Sequence, residues 1–92
     1  MKFETLDELK EAISEVYGED SKIIVFENPD YAEAFLGVSH DERAIYSFDK
    51  MASCLMKNDN MSYEEAIEFV EYNTVRSLPY CGEKSPIILY EI

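Results

Sequence analysis

Tryptophan is absent, and glycine, proline and cysteine are scarce: 3 Gly, 3 Pro and 2 Cys in 92 residues. So few dispersed Gly and Pro residues leave no linker, repeat or low-complexity tract. Two cysteines, Cys54 and Cys81, fall short of the disulfide framework of a small secreted domain. A single histidine, His40, matches no structural zinc spacing when combined with two distant cysteines. Basic residues are also few: 8 Lys+Arg stand against 20 Asp+Glu, a net charge of −12. That balance argues against direct nucleic-acid binding, which uses clustered Lys and Arg to displace counterions from phosphates. It argues equally against adsorption to an anionic membrane. No apolar run approaches the ~18 residues of a membrane span, and no basic-then-apolar leader opens the sequence. The expectation is a cytoplasmic protein with reduced thiols and no cofactor.

What is present is apolar enough to fold. The hydrophobic fraction is 47% and the aromatic fraction 13%, too high for a disordered acidic tail. The length predicts a single domain over residues 1–92 with one core.

Local signals define most of the elements. Thr5-Leu6-Asp7-Glu8 is a capping box, followed by Leu6, Leu9, Ile13 and Val16 at helical spacing and by Gly18 as a left-handed stop. Ile23-Ile24-Val25-Phe26 is a β-branched and aromatic run closed by the turn signal Asn28-Pro29-Asp30. Residues 34–39 and 44–47 flank the polar tip His40-Asp41-Glu42-Arg43, a hairpin pattern with Gly37 marking a bulge or a close backbone approach. A second helix is expected over 49–57, with Met51, Cys54 and Leu55 inward, ending at Asn58-Asp59-Asn60. A third opens with the capping box Ser62-Tyr63-Glu64-Glu65, buries Ala66, Ile67, Phe69 and Val70, and runs to Ser77 before Pro79. Residues 86–92 read as a closing strand. The pattern predicts an α+β domain of order αβββααβ, a four-stranded, mainly antiparallel sheet packed with three helices. Segments 23–26 and 87–92 are apolar on both faces, so either the three helices divide between the two sheet faces or a second copy covers the open one, and a homodimer is the expectation.

Leu36-Gly37-Val38-Ser39-His40-Asp41, Tyr46, Asp49-Lys50-Met51, Met61 to Ala66 and Glu71-Tyr72-Asn73-Thr74 occur in that order, followed by Leu78-Pro79-Tyr80, Gly82-Glu83-Lys84 and Pro86-Ile87-Ile88. Together these strings resemble a family of small uncharacterised proteins from bacterial, phage and mobile-element genomes, over residues 23–90. The resemblance implies a bacterial or phage cytosolic setting and directs attention to Asn73. It carries no activity and no catalytic residues.

Three chemistries compete. Asn73 borders the predicted buried stripe, so its amide is expected to pin the 78–85 loop with help from Thr74, because buried polar groups are normally satisfied locally. The alternative is a small-molecule-binding or enzymatic pocket built from Asn73, Arg76, Tyr80 and Cys81, with Arg76 meeting an anionic ligand. A catalytic cysteine needs a neighbouring base; Cys54 reads as a core residue, and nothing in the pattern brings His40 to Cys81. Carboxylate pairs such as Glu64-Glu65 suit helix starts, and no metal loop, phosphate loop or nucleophile elbow is present. The third reading uses the acidic faces. Asp7, Glu11 and Glu15 on the first helix repeat at i,i+4, and on the third Glu64 and Glu68 do the same with Glu71 three residues on, like-charge rows that weaken a helix but suit a basic partner. The preferred expectation is a non-enzymatic acidic interaction module.

Overall fold

The computed structural model describes residues 3–92. Helix α1 spans Leu6–Tyr17 and buries Leu9 and Ile13. Its capping box forms as the sequence predicts: Thr5 Oγ1 accepts from the Glu8 N–H while Glu8 Oε1 accepts from the Thr5 N–H. Gly18 ends the helix at φ 89°, a value costly for other residues, but its ψ of 160° sends the chain out extended. Strands β1 (Phe35–Val38) and β2 (Ala44–Ser47) form the predicted hairpin. The register runs Phe35↔Tyr46, Gly37↔Ile45 and Val38↔Ala44, so Leu36 is the extra residue of a bulge. Helix α2 (Phe48–Asn58) starts at once from Ser47, whose buried hydroxyl accepts from the Lys50 N–H and donates to Glu91. Helix α3 covers only Tyr63–Phe69, opened by the reciprocal Ser62–Glu65 cap. The chain then widens into a π-type turn over Val70–Thr74 and tightens into 3-10 turns over Val75–Lys84, broken at Gly82 (φ 80°). Strand β3, Ile87–Leu89, closes the chain.

The four-stranded, mainly antiparallel sheet is not found. The sheet has three strands in the order β1-β2-β3, antiparallel between β1 and β2 and parallel between β2 and β3, and the element order is αββααβ. Two physical causes account for the difference. A parallel return needs a long crossover, and the helical stretch from Phe48 to Lys84 supplies one. Residues 21–27, despite their strand composition, run extended without entering the ladder. Their link to β2 is a side-chain contact, in which the Phe26 N–H donates to the Tyr46 hydroxyl at 3.2 Å.

The core joins Leu9 and Ile13 of α1, Tyr31, Ala34 and Phe35, Tyr46, Phe48, Met51, Cys54 and Leu55, and Ala66 and Val70. Ile23, Val25 and Phe26 pack against its margin. Tyr46 is the aromatic hub, with Phe26 and Phe35 at 4.8 and 5.7 Å between ring centroids. At the far end of the sheet Leu89, Tyr90 and Ile92 stay exposed, although Tyr90 stacks on Phe48 at 4.7 Å.

Candidate functional site

The most deeply organised polar region lies at the turn between the extended segment and β1. Asp30 Oδ1 accepts from the Ala32 N–H at 3.1 Å, closing a tight Asx turn around Tyr31. Tyr31 takes a left-handed conformation (φ 47°), is buried, and meets Phe26 edge-to-face. Its hydroxyl shares a 2.8 Å hydrogen bond with Thr74 Oγ1 on the π-type turn. Burial pushes the Tyr31 phenol up, against the opposing effect of the Thr74 bond. The Tyr46 phenol is pushed up to about 12, chiefly by burial.

This turn forms the ridge between two clefts. The larger, of about 610 Å³, is bounded by residues 28–33, the start of α1 and the end of α2. Its charged lining is Glu4, Asp30, Glu33 and Asp59, with Lys57 as the cation. Lys57 Nζ bridges both Glu33 carboxylate oxygens at 3.1 and 3.2 Å. Cys54 borders the same cleft, and its thiol is pushed up to about 11 by burial, reinforced by the Glu33 and Asp30 carboxylates. A thiol held protonated at neutral pH is a poor nucleophile. The chemistry of the cleft is therefore that of carboxylates toward cationic groups. Among the described residues no group of His, Cys, Asp and Glu has metal-holding geometry.

The smaller cleft, of about 120 Å³, lies between Phe26, Pro29, Phe69, Asn73, Thr74 and Ser77. Of the residues singled out for a C-terminal pocket, only Asn73 borders it. Asn73 is exposed, contrary to the predicted buried stripe, and Thr74 takes the inward place. The π-type turn is the cause. A turn closed by i→i+5 bonds holds more residues, so Thr74 comes round beneath Val70 and Asn73 swings outward. Arg76 lies over the Tyr72 ring at 5.8 Å from its centroid, Tyr80 is 91% exposed, and Cys81 Sγ donates to the Ser77 carbonyl at 3.8 Å.

The acidic rows are on the surface: Asp7, Glu11 and Glu15 on α1, Glu64 and Glu68 on α3 and Glu71 on the π-type turn are all exposed. His40 is exposed at the hairpin tip, and both cysteines are free. Sequence reasoning missed Tyr31 and gave Thr74 only a supporting role beside Asn73, where the structure pairs it with Tyr31. The Asn28-Pro29-Asp30 signal pointed to the turn, and an aromatic residue directly after it was the available clue. No described helix is long and apolar enough to cross a membrane. No family model, curated protein or solved structure matches the chain.

Proposed function

We propose that this protein is a non-enzymatic acidic interaction module that docks onto a basic surface of a protein partner in the cytoplasm. The observation that carries the reading is the exposure of both carboxylate rows, Asp7-Glu11-Glu15 and Glu64-Glu68-Glu71. Like charges at i,i+4 cost a helix stability, so a partner that neutralises them gains binding energy from relieving that repulsion. The cleft bearing Glu4, Asp30, Glu33 and Asp59 extends the same preference for cations into a concave site. The phage or mobile-element setting rests on the sequence resemblance alone. The alternative pocket at Asn73, Arg76, Tyr80 and Cys81 draws less support, since Tyr80 stands 91% exposed.

The experiment is affinity capture from a bacterial lysate, followed by titration of the purified captured protein against wild type and two variants, Asp7/Glu11/Glu15→Asn/Gln/Gln and Glu64/Glu68/Glu71→Gln. The proposal expects at least one variant to bind more weakly and with a shallower salt dependence. Unchanged affinity and salt slope in both variants sink it. Self-association is a second reading, favoured by the exposure of Leu89, Tyr90 and Ile92. Sedimentation at micromolar concentration distinguishes twice the chain mass from a monomer.

A further inference from the structure

We propose that the groove between α1 and residues 22–27 is a strand-addition site for an extended segment of a partner protein, in which apolar residues alternate with Lys or Arg. The inference rests on the acidic-module reading and names the surface and the peptide chemistry.

Two observations on opposite walls carry it. The groove encloses about 580 Å³. One wall is Lys10, Ile13 and Ser14, residues at i, i+3 and i+4 and hence a single face of α1. The other wall is Ile23, Ile24 and Val25, three consecutive residues of a stretch with no helix, turn or bend. Side chains alternate across an extended chain, so a groove touching three in succession runs along its backbone edge. That edge is open. Among the described residues, 22–27 make no backbone–backbone hydrogen bond, and only the Phe26 N–H finds a side-chain acceptor. The backbone N–H and C=O groups of this half-buried β-branched run are the template that an added strand completes. A helix face opposite an open strand edge is the setting in which peptides bind by strand addition: backbone bonds supply affinity and the groove reads alternate side chains.

Charge selects the occupant. Glu19 and Glu27 both line the groove, with Lys10 at 3.3 Å from Glu27 as the cation on the wall. The surrounding chain carries −12, which repels a second copy and favours a basic strand. Apolar side chains of that strand enter beside Ile13 and Ile24, and a basic side chain reaches Glu19, the groove carboxylate that Lys10 does not pair.

The probe is the acetylated, amidated peptide Lys-Val-Lys-Val-Lys-Val, titrated against the full chain by calorimetry with hydrogen exchange read by mass spectrometry. Its controls are Glu-Val-Glu-Val-Glu-Val, Thr-Val-Thr-Val-Thr-Val, and the basic peptide N-methylated at alternate amides. The expected result is saturable binding of the basic peptide, slowed exchange over residues 22–26, and at least tenfold weaker binding after N-methylation. Because N-methylation leaves the protein untouched, it tests the backbone contact even if Ile24→Pro fails to fold. In a folded Ile24→Pro variant the same loss is expected. Binding indifferent to N-methylation, or no protection over 22–26, overturns the proposal. If the basic peptide instead loses affinity only in the carboxylate-row variants, the groove is wrong and the acidic module stands. Equal binding of the Thr-Val peptide overturns the charge selection on which the proposed partner rests.

Discussion

Tyr31 and Thr74 meet across 43 positions of sequence through a buried hydrogen bond of 2.8 Å. The contact ties the left-handed turn before β1 to the π-type turn after α3, two irregular features that no regular ladder connects. Replacing Thr74 by Val keeps the shape and removes the partner, leaving the Tyr31 hydroxyl buried and unpaired, at a cost of about 1–3 kcal/mol. Tyr31→Phe/Thr74→Val together should cost less than the two single changes summed, a coupling that a double-mutant cycle by urea unfolding measures. Asn73→Ala, at an exposed position, is expected to stay within about 0.5 kcal/mol of wild type. A large loss from Asn73→Ala with none from Thr74→Val would reverse the assignment.

A second clamp holds β3. Arg43 Nε donates to the Ser85 carbonyl at 2.8 Å, and Lys84 Nζ donates to the Asp41 carbonyl at 2.6 Å. Arg43 thus pins the hairpin tip to the residues that turn into the parallel strand. Arg43→Met should destabilise the domain by about 1–2 kcal/mol and speed amide exchange over 85–89 more than over α1. Uniform acceleration across the chain would mean the clamp is not local.

The sequence was legible wherever the determining contacts are short-range. Both capping boxes, the hairpin with a bulge beside Gly37, and the burial of Met51, Cys54 and Leu55 follow from neighbours within a few positions. Residues 23–26 have the composition of a strand and its extended backbone, but pairing depends on an edge elsewhere in the fold, which composition does not encode. The parallel sense of β3 depends likewise on how the crossover packs. Asn73 departs from its expected place because the regular 3.6-residue period does not hold where the turn widens. The exposed carboxylates were the most legible feature of the candidate site, and the Tyr31–Thr74 contact the least.

Cys54 makes stability fall in alkali. Its thiol is held up to about 11 in the folded chain, above its ordinary value of 9.0, so below pH 9 both states keep the proton and the contribution is complete. As pH rises from 9 toward 11 the unfolded chain loses the proton first, and the folded state loses its advantage. Tyr46, held up to about 12 against 10.0, extends the decline in the same direction. Unfolding midpoints measured from pH 7 to 11 should fall above pH 9, with a shallower fall in Cys54→Ala. At pH 8, a thiol reagent should modify the partly exposed Cys81 before the buried Cys54. Equal rates would show that Cys54 is not shielded.

The carboxylates of the two helices divide by what they touch, and mutation should separate the classes. Glu8 and Glu65 accept backbone N–H groups at their helix starts, and the bonds from Ser62 hold Glu65 below its ordinary carboxyl value. The stability from Glu65 is therefore present above its unfolded pKa and lost as pH falls through the lower folded one. Ser62→Ala removes the hydroxyl half of that cap and should cost about 1 kcal/mol. Glu11 and Glu15 lie further along α1 and face one another at i,i+4, so Glu11→Gln should stabilise α1 by about 0.2–0.5 kcal/mol for each repulsion relieved. Glu64 is different, because in the first turn of α3 its charge also meets the helix's positive end, and Glu64→Gln should be nearly neutral. Urea unfolding at low salt reads all three substitutions, and the Glu11 gain should shrink in high salt while the Ser62 loss persists. A destabilised Glu11→Gln would mean that its carboxylate is bound within the fold and is not available to a partner.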